Sequence, residues 1–339
     1  MRDWERWLSR AAAATLAAAT LVPGPAAGGA SGPPGTDDGP HHSTASHYLV
    51  LPGDPAAADA LGYRSGCADG HDGVTGLRVL FFGTQEAGGR IRPPGTSAAS
   101  PAVRFDRDGV RRAAEGWMRG FTLCGSANAV LALGVNNKAD GKAVPAPAGA
   151  DWAALVEQVA KAAPLDRVAV TGALDGEPSW SPPAWARSWV DGYVHATHRL
   201  LYAANSADGC PQAEVGEACS NGWTVRDVFH VSTGAASTVV AIPQIYRTDG
   251  VQARQWASIS RWGARTGAGP LRVVGALSQH AACHQSTAGC PRTDNTPEDA
   301  RTQLTEALAG EDAGHGAERG RFALVSSDMD WVPGPLDPR

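Results

Sequence analysis

Two acidic residues, Asp175 and Glu177, end an apolar segment within the sequence TGALDGEPSW, residues 171–180. Side chains two positions apart on a strand point to the same face, with backbones about 6.5 to 7 Å apart, so both carboxylates are predicted to enter one cavity. Repulsion and partial burial would keep one acid protonated near neutral pH while the other is ionised. A glycosidase needs this division of labour. The spacing therefore indicates glycoside hydrolysis, with Glu177 as general acid and Asp175 as its stabilising partner.

Polar and aromatic residues follow most of the other predicted strands. Helix capping or strand termination explains any one of them, but their recurrence favours a binding face at the carboxyl ends of the strands. Aromatic rings there are platforms for sugar rings. A second pair of acids two residues apart, Asp328 and Asp330, lies near the C-terminus. This pair would bind a cation, orient substrate or cap the last strand. The predicted substrate-binding residues are Gln85, Asn136, Asn137, Trp180, Gln244, Tyr246, Gln279, Asp328, Asp330 and Trp331.

Short apolar segments alternate along the chain with segments of helical periodicity. This alternation predicts an α/β fold, a TIM-like parallel (β/α) barrel of seven or eight strands with disulfide-stapled loops. An open doubly wound sheet is disfavoured because no glycine-rich phosphate loop follows the first strand. The predicted strands are 77–82, 127–133, 168–174, 200–203, 238–242, 271–277 and 322–325, with 47–51 as a possible eighth. The predicted helices are 108–121, 152–162, 182–197, 225–231, 251–262 and 297–308.

The N-terminus has the pattern of an export signal. Arginines at positions 2, 6 and 10 precede the apolar run 11–22, which is too short to span a bilayer, and small residues follow it. An uncleaved amphipathic helix is the alternative, but the run is apolar on nearly every side. We therefore predict a signal peptide at 1–30, a disordered linker at 31–46, a barrel domain at 47–339 and a secreted, extracellular protein.

Charge and motifs limit the partners. The formal net charge of -5 is spread without long runs of one sign, which argues against binding to nucleic acid. No Walker or dinucleotide motif is present, so no cofactor is predicted. We expect a monomer without a membrane span after signal removal, whose partner is a polysaccharide or other glycan.

The chain has six cysteines, an even number that suits disulfide bonds in an exported protein. Their spacing predicts three pairs: Cys67 with Cys124, Cys210 with Cys219, and Cys283 with Cys290. A zinc site formed by Cys283 and Cys290 with His280 and His284 is the rival interpretation, since thiolates and imidazoles bind zinc. The segment lacks a compact Cys-x-x-Cys knuckle, so we predict no metal.

Two resemblances support these predictions. The segment Asp175-Gly-Glu177 resembles the acid pair of the glycoside hydrolase family 25 lysozymes and the end of the acid motif of family 18 chitinases, although positions 170 and 173, acidic in the chitinase motif, are Val and Ala here. Residues 76–331 resemble exported bacterial glycoside-hydrolase-like proteins through segments 172–178, 205–211, 219–223 and 242–246. This resemblance implies a barrel fold and export, and an acid where this chain has Gln244.

A different class of function fits the same residues. A non-catalytic secreted barrel could bind glycan or a protein partner through the same face. The two functions differ in the titration of the acid pair, because a working acid needs a raised pKa whereas a binding face keeps both carboxylates ionised. A cell-wall amidase or peptidase would need a metal site or a nucleophile, which the sequence does not show.

Overall fold

The computed structural model describes residues 43–164, 166–213, 216–287, 289–309 and 324–332, so the predicted signal peptide and most of the predicted linker lie outside the described residues. The first strand already begins at Thr44, within the segment predicted as linker. No helix among the described residues is long and apolar enough to cross a bilayer.

Eight parallel strands form a nearly closed barrel, which confirms the predicted α/β fold. The hydrogen-bonded order is β7-β6-β5-β4-β2-β1-β9-β8. Bonds such as Ile245 N–H to the Leu277 carbonyl, 2.9 Å, link the first and last strands of this order just beyond β7. The strands are β1 (Thr44–Leu49), β2 (Gly76–Glu86), β4 (Ala129–Asn136), β5 (Val168–Asp175), β6 (Leu201–Ala203), β7 (Val239–Ala241), β8 (Gly275–Ser278) and β9 (Val325–Val332), and the short β3 (Arg90–Arg92) pairs antiparallel with β2.

Helices connect the strands and cover the barrel. They are α1 (Pro55–Asp72), α2 (Arg107–Cys124), α3 (Pro145–Ala162), α4 (Pro183–Ala196), α5 (Val225–Phe229), α6 (Val251–Arg265), α7 (His280–His284) and α8 (Pro297–Ala309). The possible eighth strand is β1, and α1 was not predicted. The last strand was predicted at 322–325 but extends over Val325–Val332, so the acids expected beyond its end lie within it.

The two faces of each strand have different surroundings. Leu133, Val170 and Leu174 belong to the apolar core between barrel and helices, together with Trp152 and Trp189. The alternate residues face the barrel interior, where space is short. A β carbon added at Gly134 would lie 2.5 Å from the ring of Phe81 and 3.3 Å from the β carbon of Ala173. The small residues that precede Asp175 on β5 thus leave room for the side chains of neighbouring strands.

Helices α1 and α2 pack with their backbones in contact. A β carbon added at Gly62 or Gly66 of α1 would lie 1.9 or 2.0 Å from a carbonyl oxygen of α2, and one added at Gly120 would lie 2.1 Å from a carbonyl oxygen of α1. The Cys67–Cys124 disulfide joins the same two helices. Glycine lowers helix propensity, so the sequence pattern did not predict α1. In the structure the same glycines permit the close approach of α1 and α2.

All three predicted disulfides are present: Cys67–Cys124, Cys210–Cys219 and Cys283–Cys290. Disulfides persist in oxidising compartments and are rare in the cytosol. The three bonds therefore indicate an oxidising, non-cytoplasmic environment.

A buried histidine connects the barrel to this helix pair. His47 of β1 is paired in register with Asp330 of β9, and its Nδ1 lies 2.5 Å from the Asp330 carboxylate. Its Nε2 lies 2.9 Å from Asp69 of α1, which also accepts a hydrogen bond from the indole of Trp117 at 2.7 Å. Burial by itself lowers the pKa of His47, but the fields and hydrogen bonds of the two carboxylates outweigh it and raise the pKa to about 10. His47 is therefore an imidazolium ion in the fold at neutral pH.

This shift predicts that the fold loses stability as the pH rises. A raised folded-state pKa stabilises the protein fully below the ordinary value of 6.5, and the contribution disappears as the pH approaches 10. The expected loss is on the order of a few kcal/mol. Urea unfolding at intervals from pH 6.5 to 10 measures it. The decline should be much shallower in His47→Gln, whereas the exposed control His198→Gln should retain it; equal slopes in all three proteins would contradict the prediction.

Candidate functional site

The two acids lie at the carboxyl end of β5, at the mouth of the barrel. Asp175 is the last residue of the strand and is 4% exposed, while Glu177 lies in the following turn and is partly buried. Asp175 contacts Gln244, which follows β7, and the field of both acids acts on Tyr48 of β1. Strands β1, β5 and β7 are not neighbours in the sheet. The groups therefore meet in the interior of the barrel.

Two asparagines hold the backbone that carries the acids. The Asn205 side-chain oxygen accepts the Gly176 N–H at 2.8 Å, and the Asn137 oxygen accepts the Glu177 N–H at 2.9 Å. The Asn137 amide also donates to the Glu177 carbonyl at 2.9 Å. A β carbon at Gly176 would lie 2.5 Å from the Asn205 oxygen, so the glycine permits this approach. Asn137, predicted to contact substrate, is fully buried and positions the acid turn.

Gln244 orients the deeper acid. Its amide donates to Asp175 Oδ1 at 2.8 Å and to the Ala204 carbonyl at 3.0 Å. An N–H donor stabilises the ionised form of a carboxylate. The resemblance implied an acid at this position, but the amide found here supplies a hydrogen bond to Asp175 instead of a third negative charge.

The pKa values of both acids are raised, with different contributions. Burial raises the pKa of Asp175 to about 7, opposed by the Gln244 hydrogen bond and by the charge of Lys138. Burial also raises the pKa of Glu177 well above its usual range, and the charges of Asp175 and Asp208 raise it further, opposed as in Asp175 by Gln244 and Lys138. The two acids titrate as a pair. Because the charges of two carboxylates add to burial at Glu177 but not at Asp175, we assign the remaining proton of the half-titrated pair to Glu177.

Two buried tyrosines border the acids. The pKa of Tyr48 and that of Tyr246 are raised, first by burial and also by the charges of Asp175 and Glu177. The two hydroxyl groups also interact with each other, which lowers the pKa of Tyr48 and raises that of Tyr246. The Tyr246 hydroxyl is buried, so this contact keeps it beside the acids.

Aromatic rings extend outward from these tyrosines. The partly exposed ring of Trp331 lies 4.6 Å from that of Tyr48, centroid to centroid. On another side, the Lys138 ammonium lies 4.5 Å from the ring centroid of Trp180, which follows Glu177 by three residues. Both predicted tryptophans are therefore partly exposed near the acid turn or its tyrosine neighbours, as a sugar platform would be.

Asp208 is a third carboxylate near Glu177. It lies in the loop after β6, and burial raises its pKa, opposed by the neighbouring Ser206 and Arg247. The catalytic and substrate-binding residues predicted from the sequence do not include Asp208, Tyr48 or Lys138. Each of the three lies in or just after a predicted strand, and that position is a sequence signal that could have identified it. None of them lies at a regular sequence spacing from Asp175 and Glu177.

The other predicted residues are distributed between the interior and the outer shell. Asn136 is paired in register with Asp175 and accepts a hydrogen bond from Thr84, so it lies beside the acid. Gln279 is partly exposed and directly follows β8. Gln85 instead accepts a bond from the Trp189 indole at 2.7 Å and donates to the Ala148 carbonyl, among the covering helices.

Asp328 and Asp330 lie apart from the acid pair. Asp328 accepts the backbone N–H groups of His280 and Ala281 at 2.8 and 2.9 Å and so holds the start of α7. Asp330 binds His47 on the outer face of the barrel. Both acids thus form contacts that hold the fold together. Of the three roles predicted for them, which were cation binding, substrate orientation and capping of the last strand, these contacts are closest to capping.

A separate groove of about 900 Å³ lies on the outer surface of the helical layer. It contains neither the acids nor their tyrosine neighbours. Its lining includes Ala146, Pro147, Pro183, Arg187, Asp191 and Asp227, from α3, α4 and α5. In a barrel of this kind, chemistry gathers at the carboxyl ends of the strands, so we place the candidate site at the acid pair.

No protein-family model matches the chain, and no curated protein is similar to it in sequence.

Proposed function

We propose that the protein is a secreted glycoside hydrolase that acts on an extracellular or cell-wall polysaccharide. The observation that carries the proposal is the acid pair, in which Asp175 receives the Gln244 hydrogen bond and Glu177 experiences the charges of two other carboxylates. A face that only bound glycan would have no need for raised pKa values on both acids. The disulfides support an extracellular location.

Glu177 donates its proton to the glycosidic oxygen as the bond to the anomeric carbon breaks. The leaving sugar departs with a hydroxyl group, and the Asp175 carboxylate stabilises the positive charge on the sugar ring. Water then supplies a hydroxyl to the anomeric carbon and a proton to Glu177, which restores the enzyme. Asn137, Asn205 and Gln244 hold these groups in position before substrate binds, which reduces reorganisation during the reaction.

The test is the release of reducing sugar from a panel of cell-wall and extracellular polysaccharides. The native protein should cleave at least one member, and the double variant Asp175→Asn/Glu177→Gln should cleave none while it retains binding in a pull-down with the same insoluble glycan. Glycan binding without cleavage by either protein would support the non-catalytic barrel, and full activity in the double variant would refute the assigned acids.

The pH profile should be bell-shaped. The active form has Asp175 ionised and Glu177 protonated, so kcat/KM should rise as the pH increases through the Asp175 pKa, about 7, and fall again as Glu177 loses its proton. Asp208→Asn removes a negative charge that raises the Glu177 pKa. The alkaline limb should therefore move to lower pH in Asp208→Asn but stay in place in the control Asp249→Asn. Movement to higher pH would contradict this electrostatic assignment.

A further inference from the structure

Two histidines and one aspartate converge next to the barrel mouth. His280 and His284 lie one turn apart on α7, and their ring centroids are 4.5 Å apart. The Nδ1 of His280 lies 2.7 Å and the Nε2 of His284 lies 2.9 Å from the same carboxylate oxygen, Oδ1 of Asp294. We call these three residues the rim cluster. The side chains of all three are partly exposed.

The spacing and the atom types suit a transition-metal ion. Ligand atoms bonded tetrahedrally to zinc at about 2.0 to 2.1 Å lie about 3.3 to 3.4 Å apart. The nitrogen–oxygen distances of 2.7 and 2.9 Å in the rim cluster are shorter, so the three side chains need to separate only slightly to hold an ion. Imidazole and carboxylate are good ligands for zinc and its neighbours in the first transition row. In addition, the His280 Nδ1 atom is buried, and its 2.7 Å contact with Asp294 Oδ1 does not have hydrogen-bond geometry.

The surrounding structure fixes the rim cluster. Asp328 binds the first backbone N–H groups of α7, and the Cys283–Cys290 disulfide ties the helix to the segment that leads to Asp294. These sulfur atoms lie near His284 and Asp294, but as a disulfide they are not thiolate ligands. The oxidised protein therefore offers two imidazoles and one carboxylate.

We propose that the rim cluster binds a divalent cation of the zinc type through His280, His284 and Asp294, with water in the remaining coordination position. The ion replaces the direct contacts of the two imidazoles with Asp294. It also joins α7 to the segment before α8. In that segment the neighbouring Asn295 donates its backbone N–H to the Tyr246 carbonyl at 3.1 Å. The cation thus stabilises loops next to the acid pair, although its binding does not depend on the proposed hydrolysis.

The test is isothermal titration of the chelator-treated full chain with ZnCl₂, without reductant, so that the disulfides remain intact. We expect one ion per chain with a dissociation constant in the micromolar range or tighter. Co²⁺ should give a visible absorption band that Zn²⁺ removes. Single variants His284→Ala and Asp294→Asn should bind at least about tenfold more weakly, with circular dichroism spectra like that of the native chain.

The controls separate this site from other histidines. His198→Ala removes an exposed histidine elsewhere and should not change binding, and neither should His41→Ala/His42→Ala, which removes an adjacent pair near the N-terminus. The absence of stoichiometric binding, or equal affinity in a His280→Ala/His284→Ala variant, would overturn the proposal. Binding that appears only after reduction would also overturn it, since the ligands would then include the thiolates of Cys283 and Cys290.

Discussion

Glu177→Gln is expected to lower the rate of polysaccharide hydrolysis at least about a hundredfold, because the amide has no acidic proton to give to the leaving oxygen. Glutamine has nearly the same shape as glutamate, and Asn137 binds the backbone at this position, not the carboxylate. The fold should therefore be retained, with an unchanged melting temperature. Reducing-sugar release at matched protein concentration measures the effect. Glu298→Gln, at an exposed acid on α8, is the matched control and should be fully active.

The leaving group distinguishes the roles of the two acids. In an aryl glycoside with an acidic phenol, the phenolate leaves without being protonated. Glu177→Gln should therefore have much of the native activity on such a substrate. Asp175→Asn should remain impaired on both substrates, because the positive charge on the sugar ring develops in either case. Equal losses for both variants on both substrates would contradict this division of roles, and full activity of Glu177→Gln on polysaccharide would remove it as the acid.

Gly66→Ala is expected to destabilise the fold by about 3 kcal/mol or more, since overpacking at a backbone contact forces two elements apart. The added β carbon would lie 2.0 Å from the Trp117 carbonyl oxygen, and a carbonyl oxygen within a helix cannot move independently. The Cys67–Cys124 disulfide, one residue away, opposes a simple separation of the helices. Urea unfolding measures the change in the free energy of unfolding.

Gly109→Ala is the matched control, in the first turn of α2. The nearest atoms to its added β carbon lie at 3.7 and 3.9 Å, which is ordinary contact. Because alanine has the higher helix propensity, this change should be neutral or stabilising by up to about 1 kcal/mol. A similar effect of both substitutions would show that backbone flexibility, rather than close packing, explains the glycines of this helix pair.

The sequence by itself determined the barrel and the position of the acid pair. Alternating strand and helix periodicity specifies a parallel sheet with crossovers, and the small residues before Asp175 mark the inward face of β5. These are local patterns. The short loops of Cys210–Cys219 and Cys283–Cys290 were equally local, and they left Cys67 and Cys124 to pair with each other.

Only the tertiary structure decided which other residues join the acids. Successive side chains on a strand point to opposite faces. Because β9 was predicted at the wrong residues, the sequence did not show which face Asp330 occupies. In the structure Asp330 binds His47 outside the barrel. Tyr48 approaches Glu177 only because closure of the sheet brings β1 opposite β5. Asp208 approaches it because the loop after β6 lies beside the end of the neighbouring strand β5. Helix α1 was not predicted for a related reason. Its glycines lower the local helix propensity, and the close packing that they permit against α2 exists only in the tertiary structure.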